Sequence, residues 1–339
     1  MKTRLFRMGL AVLSLAAGFT LAGVVGPAMA QQNVTLALPA QSLLFAPAYI
    51  AAERGYFREA GIEPKIVYVA GPGVLTAVLG KSADFAMISG GIQIAAAVRN
   101  QKLVAIANTQ DRFTTDIVVR KPVADKLGAV PPGDALARIR ALKGLTIGID
   151  AVNGLPHSFL RYLARKAGMN PETDFTITAL QPQAMVAAMK SGTIEAMAFS
   201  PPFSLTAVND GGALWITGPD VDLPEMKTFP YNVVLVRPDY CQAEAAACRG
   251  FTTAIGKAVA LMRSDPAASL AALGKTFDRM EPEALRQSFA IFAKYTRTDL
   301  GLTEDMYRNA VAFDRAGGVI PETAAVPPAS ELYAPSLGR

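Results

Sequence analysis

GYFREAGIEPKIVYVAGPG, residues Gly55 to Gly73, decides the fold. Gly61 closes a helix predicted over 47–60, because glycine readily takes the left-handed backbone that ends helices. Residues 64–69 are apolar and β-branched, which predicts a strand. Gly71, Pro72 and Gly73 then end that strand with almost no side chain, so whatever approaches the turn meets backbone. A second helix follows over 74–79.

The same alternation runs outward from this stretch. Strands are predicted at 34–38, 85–88, 103–107 and 117–120, with a helix at 92–99. The pattern restarts with strands at 145–149, 175–178, 195–199 and 214–217, and helices after Asn153-Gly154 and at 182–190. A further strand, 232–237, follows an irregular stretch at 218–231. Alternating strands and helices with short glycine-rich links define an α/β fold whose parallel sheets are covered by helices on both faces. Residues 243–316 read as mostly helical, and a proline-bearing tail (Pro321, Pro327, Pro328, Pro335) wraps the end. The two sets share a phrase: GKSADFAMIS ends at Ser89 and SGTIEAMAFS at Ser200, each with an acid five positions earlier, Asp84 or Glu195. It marks the third strand of each of two similar sheets.

The first thirty residues carry Lys2, Arg4 and Arg7, then an apolar run, then Ala28-Met29-Ala30 before Gln31. That is the pattern of a secretory signal cleaved after Ala30. Removing thirty of 339 residues leaves 309, and removing three basic and no acidic residues takes the net charge from +5 to about +2. A nucleic-acid surface would need clustered Lys and Arg, and none is present. A chain of this length ordinarily builds two domains. Cys241 and Cys248 are the only cysteines. In one straight helix they would stand roughly 10 Å apart, too far to bond. Cys241 in a loop and Cys248 in the following helix leave a disulfide open. Too few ligands surround them for a metal site, and no cofactor is expected.

Five turns lie where a strand ends and a helix starts: 42–45, 71–73, 89–91, 154–158 and 200–202. Helix starts present unpaired N–H groups and partial positive charge, which hold anions and polar head groups without a basic side chain. Serine adds a hydroxyl that donates or accepts. The candidate ligand contacts are therefore Ser42, Leu44, Phe45, Gly71, Pro72, Gly73, Ser89, Gly90 and Gly91 in the first set. Asn153, Gly154, His157, Ser158, Ser200 and Pro201 stand in the second. Asn108, Arg112, Phe113, Tyr231 and Asn232 join them near the links between sets. Pro156, Pro201 and Pro202 each remove an N–H, so the second set offers fewer backbone donors. Apolar residues around these turns suggest a guest with a hydrocarbon or aromatic body. Catalysis finds little support: there is no Gly-x-Ser-x-Gly elbow, no phosphate loop, and one histidine without an indicated partner.

AYIAAERGYFREAGIEPKIVYVAGPG, GKSADFAMISGG and LKGLTIGIDAVNGLPHSFLRYLARKAGMNPETDFTI together resemble the solute-binding proteins of ABC importers. The similarity is to the branch handling nitrate, taurine, alkanesulfonates and pyrimidine precursors of thiamine. It covers residues 33 to about 265. The resemblance implies a two-lobed periplasmic binding protein of type II, each lobe a mostly parallel sheet flanked by helices. Lobe one would hold 31–111 and 230–339, lobe two 112–229, with hinge crossings at 111–115 and 224–231. It implies a monomer in the periplasm that closes on a small-molecule ligand and delivers it to a membrane permease. The expected ligand is a sulfonate or carboxylate with an apolar body. The alternatives are a pyrimidine-type thiamine precursor, favoured if Trp215, Tyr231 and Phe45 flank one slot, or an enzyme on the same fold. The cysteine-rich motif of pyrimidine synthases has no counterpart in this chain.

Overall fold

The computed structural model describes residues 31–128, 134–217, 222–223 and 226–339. The expected signal segment and the start of the second crossing, Pro224, lie outside the described residues. Ten strands form two five-stranded sheets. The first contains β1 (Gln32–Leu38), β2 (Ile62–Tyr68), β3 (Phe85–Ile88), β4 (Val104–Gln110) and β10 (Asn232–Val236), in the order β2-β1-β3-β10-β4. The second contains β5 (Asp116–Val119), β6 (Thr146–Ile149), β7 (Thr176–Ala179), β8 (Ala196–Phe199) and β9 (Ala213–Ile216), in the order β7-β6-β8-β5-β9.

In each sheet one strand opposes the other four: β10 runs antiparallel to β3 and β4, and β5 antiparallel to β8 and β9. Both opposing strands are the first strand after the chain passes from one sheet to the other. Both are apolar and buried along nearly their whole length, as strands covered on both faces must be. The two passages run side by side, Phe229 N–H donating to Asp111 O at 3.1 Å and Tyr231 N–H to Gln110 O at 3.0 Å.

The shared phrase has one mechanical role in both sheets. Thr35 N–H donates to Asp84 Oδ2 at 2.7 Å, and Thr146 N–H donates to Glu195 Oε2 at 2.9 Å. Asp84 and Glu195 return their own N–H groups to the carbonyls of Thr35 and Thr146 at 2.9 Å. Each acid thus ties the entry of one strand to its parallel neighbour, β3 to β1 and β8 to β6. β3 is the third strand of its sheet in chain order, as expected, but β8 is the fourth, because β5 enters the second sheet first.

Several element bounds differ from the sequence expectation. The helix expected over 47–60 is two helices, Ala46–Glu53 and Tyr56–Glu59, because Gly55 between them takes a left-handed conformation at φ +76°. The helix expected from 92 begins at Gly90, where Ser89 Oγ caps it by accepting from Gly91 N–H. Helices Lys121–Leu127 and Ala135–Ala141 are additional. The tail is pinned at several points: Tyr333 bridges Ala105 of β4, Gln93 Nε2 donates to Leu332 O at 2.9 Å, and Thr252 Oγ1 donates to Gly338 O.

Cys241 and Cys248 are bonded, with Cα atoms 5.7 Å apart. The short helix Pro238–Ala243 ends at Glu244, and the 20-residue helix Ala245–Ser264 starts immediately after it. That break shortens the separation a continuous helix would impose. Closing so short a loop stabilises the fold by about 2 kcal/mol through the unfolded chain's entropy. The double variant Cys241→Ser/Cys248→Ser is expected to lower the free energy of unfolding by that amount in a urea titration, with the slope nearly unchanged. An equal midpoint for both proteins would contradict this.

Candidate functional site

The carboxyl ends of both sheets face one small cavity, about 50 Å³ in volume. Each of four strands hands it the residue that follows its last position: Pro39 after β1, Ser89 after β3, Asp150 after β6 and Ser200 after β8. Leu44, Phe45, Ile88, Ile92, Leu155 and Phe199 supply a mainly apolar wall. Ligands collect at this end of open α/β sheets because strand ends and helix starts leave backbone polar groups and room for a guest.

Gly71 closes one side of the cavity. Its φ is +52°, and a Cβ built there would lie 2.6 Å from Ala151 Cβ. Two turns from opposite sheets therefore meet backbone to methyl, and no side chain fits between them. The bare turn after β2 serves a close approach of the two sheets as much as an approach to a guest.

The cavity's hydroxyls are held in place. Ser42 Oγ accepts from Leu44 N–H and Ser89 Oγ from Gly91 N–H, both at 3.2 Å. Tyr231 lies fully buried at the second passage, and its hydroxyl pairs with Ser200 Oγ and Thr115 Oγ1 at 2.8 Å each. Burial pushes the Tyr231 phenol up from its ordinary value. This ring links the cavity floor to the first passage. Tyr231→Phe would leave two buried hydroxyls short of a partner, at a cost of about 1–3 kcal/mol. Chemical denaturation should report that loss, and an unchanged midpoint would mean the hydroxyls re-pair locally.

Asp150 was not among the residues the sequence singled out. Its Oδ1 is closed off from solvent and, among the described residues, has no hydrogen-bond donor. Burial pushes the carboxyl up to about 6, against a smaller opposing pull from backbone N–H groups of Asp150 and Ala151. The available signal was positional: Asp150 is the first residue past β6, as Ser89 is past β3 and Ser200 past β8. No lysine or arginine is found among the residues lining the cavity.

Of the expected contacts, Ser42, Leu44, Phe45, Gly71, Ser89, Gly154, Ser200 and Tyr231 line the cavity. The remainder sit elsewhere, each for a local reason. Pro72 and Gly73 continue the turn away from the cavity, with Gly73 against Val69. Gly90 packs on Pro230, to whose carbonyl it donates at 2.8 Å, and Gly91 packs on Asp314. Asn108 is buried in β4, where its amide, oriented to donate, reaches the Asn232 and Gln110 carbonyls at 2.9 Å each. Asn232 donates to Leu44 O and Thr109 Oγ1 at 3.2 and 2.7 Å, and so braces the cavity wall from behind. Asn153 N–H donates to His157 Nδ1 at 3.0 Å, and Ser158 Oγ donates to Gly154 O at 3.1 Å, so these three order the helix start. Burial and the Arg161 charge hold the His157 imidazole below its usual range. Pro201 forms a cis peptide bond with Pro202.

Arg112 lies in a separate surface depression with Asp111, Arg263 and Arg297, and pairs with Asp111 at 3.4 Å. Phe113 is core: its ring lies 4.8–5.3 Å from those of Phe159, Phe229, Tyr231 and Phe313. Trp215 is also buried, its Nε1 donating to Arg138 O at 2.8 Å, so Tyr231 and Phe45 face the cavity without it.

Residues 31–273 match the model of the NMT1-like family, and the chain belongs to that family. Among curated relatives, the bicarbonate transport ATP-binding protein CmpC of Synechocystis is 27% identical over 206 residues. That match covers 58% of this chain but only 30% of CmpC. Two solved structures share the fold over nearly their whole length. The alkanesulfonate-binding protein SsuA of Xanthomonas axonopodis, bound to MOPS, has a TM-score of 0.68 at 18% identity over 90% of this chain and 99% of its own. The periplasmic nitrate-binding protein NrtA of Synechocystis has a TM-score of 0.68 at 17% identity over 91% and 87%. The fold also serves chemistry, since the desulfurization enzyme DSZB has a TM-score of 0.60 at 14% identity over 91% and 97%. At such identities the solved structures establish the shared fold: two mixed five-stranded sheets flanked by helices.

Proposed function

We propose that this protein is the extracytoplasmic solute-binding component of an ABC importer. It captures a small organic solute between two lobes and presents it to a membrane permease. Lobe one comprises residues 31–111 and 230–339, lobe two residues 112–229, and the paired passages serve as hinge. The observation that carries the reading is the cavity walled by carboxyl-end turns of both sheets, with Gly71 against Ala151 at its side. Ligand would shift the balance toward the closed form.

The apolar wall supports a guest with a hydrocarbon or aromatic body. A sulfonate or carboxylate head group draws its support from the helix starts at Ser89 and Gly154. Asp150 favours a second reading, a ring or chain bearing N–H donors, of which a pyrimidine-type precursor is one example. Catalysis has little footing in the cavity: Ser42 and Ser89 accept from backbone, Ser200 pairs with Tyr231, and the Nδ1 of His157 is taken by Asn153.

Thermal denaturation against a panel of small anions, amines and neutral heterocycles tests the reading. A ligand should raise the melting temperature with concentration and be recovered unchanged. Conversion of the compound would replace the binder with an enzyme. Export is tested by fractionating the host cell and sequencing the mature amino terminus, expected at Gln31.

A further inference from the structure

We propose that Asp150 makes the cleft selective for a guest that brings an N–H donor, an amine or amidine on an apolar body, to its carboxylate. The proposal rests on the cleft being the solute site and deepens that reading by naming the head group. It begins with an imbalance. A carboxylate oxygen withdrawn from water needs a donor, since a buried charged group without partners is costly. Among the described residues no donor reaches Oδ1. Asp150 borders the cavity together with Gly154 and Leu155, while its Oδ1 is itself closed off from solvent in this conformation.

Local geometry keeps that side open. Gly154 follows four positions later, and a Cβ there would lie 3.3 Å from Oδ1 and 3.0 Å from Ala151 O. A side chain at 154 would crowd the carboxylate on that side, whereas glycine leaves it clear. Charge points the same way. An anionic guest would place a second negative charge beside Asp150 in a cavity whose lining residues include no cation. An ammonium or amidinium would instead form a charge-assisted hydrogen bond in a low-dielectric wall. Ser42, Ser89 and Ser200 supply neutral polar contacts that accommodate either kind of guest, so discrimination falls to Asp150.

The test uses three probes with one hydrocarbon body, butylamine, butyrate and butanesulfonate, together with benzamidine. Each is titrated at millimolar concentration against the mature protein and followed by thermal denaturation and calorimetry. The amine and the amidine are expected to stabilise the wild-type protein and the two anions to leave it unchanged. Asp150→Asn preserves size and should weaken the donors by about ten- to a hundredfold, the range for a hydrogen bond to a charged group. Stabilisation by the anions alone overturns the proposal, as does donor binding that survives Asp150→Asn. Silence from both donors overturns it too. Ser89→Leu, which fills the cavity from the other sheet, separates the two claims. Donor binding that is lost in Asp150→Asn and in Ser89→Leu supports both. Donor binding that persists in Ser89→Leu locates the guest outside the cleft and overturns the cleft reading itself.

Discussion

Phe113→Ala should destabilise the protein by about 3–5 kcal/mol, the range for deleting a fully buried aromatic ring. Phe113 follows β4 on the first passage between the sheets. It packs on Phe229 and Tyr231 of the second passage, on Phe159 of the helix Leu155–Lys166, and on Phe313 of the helix Glu304–Ala316. One side chain therefore joins both passages, the helical cover of the second sheet and a C-terminal helix. Its removal leaves a void that four rings on three segments cannot easily fill. In a chain of this size the melting temperature should fall by about 10 °C. Phe113→Leu, which keeps most of the volume, should cost markedly less. Equal losses for the two variants would show that the void is not the cause.

Gly71→Ala should weaken ligand binding by about ten- to a hundredfold while lowering stability by only about 1 kcal/mol. The stability cost is the ordinary one for an L side chain at positive φ. The binding cost has another origin. With 2.6 Å between the new Cβ and Ala151 Cβ, the two turns must separate by about an ångström, which would hold back the proposed closure. Ala151→Gly removes the opposing methyl. In the Gly71→Ala/Ala151→Gly double variant, affinity should return while the small stability loss remains. This double-mutant cycle isolates the steric contact from the backbone strain. Wild-type affinity in Gly71→Ala would mean that the contact plays no part in closure.

The α/β architecture was legible because its punctuation is local. Gly61 and Gly71 end elements by backbone conformation, and strands such as β10 read as unbroken apolar runs. The Asp84 and Glu195 phrases were legible as a repeat, and their mechanical role follows from where each acid stands, just before β3 and just before β8. The site was legible only in part. Ser89 and Ser200 announced themselves as polar residues at strand ends, and the same rule would have picked out Asp150. Ser89 does cap a helix, whereas Ser200 pairs with the Tyr231 hydroxyl and Asp150 Oδ1 has no donor among the described residues. Arg112 and Phe113 stand at a passage, and sequence alone does not say which way a passage turns its side chains. Arg112 turns to Asp111 and Phe113 into a cluster of rings. The disulfide depended on a break at Glu244, a residue with no strong turn character of its own.

Amide hydrogen exchange with and without the stabilising compound tests the central claim most directly, because it asks whether one guest engages both sheets. Segments 39–45 and 88–92 of the first sheet are expected to gain protection together with segments 150–158 and 199–204 of the second. Protection confined to one sheet, or gained only at surfaces remote from these turns, would contradict capture in a shared cleft.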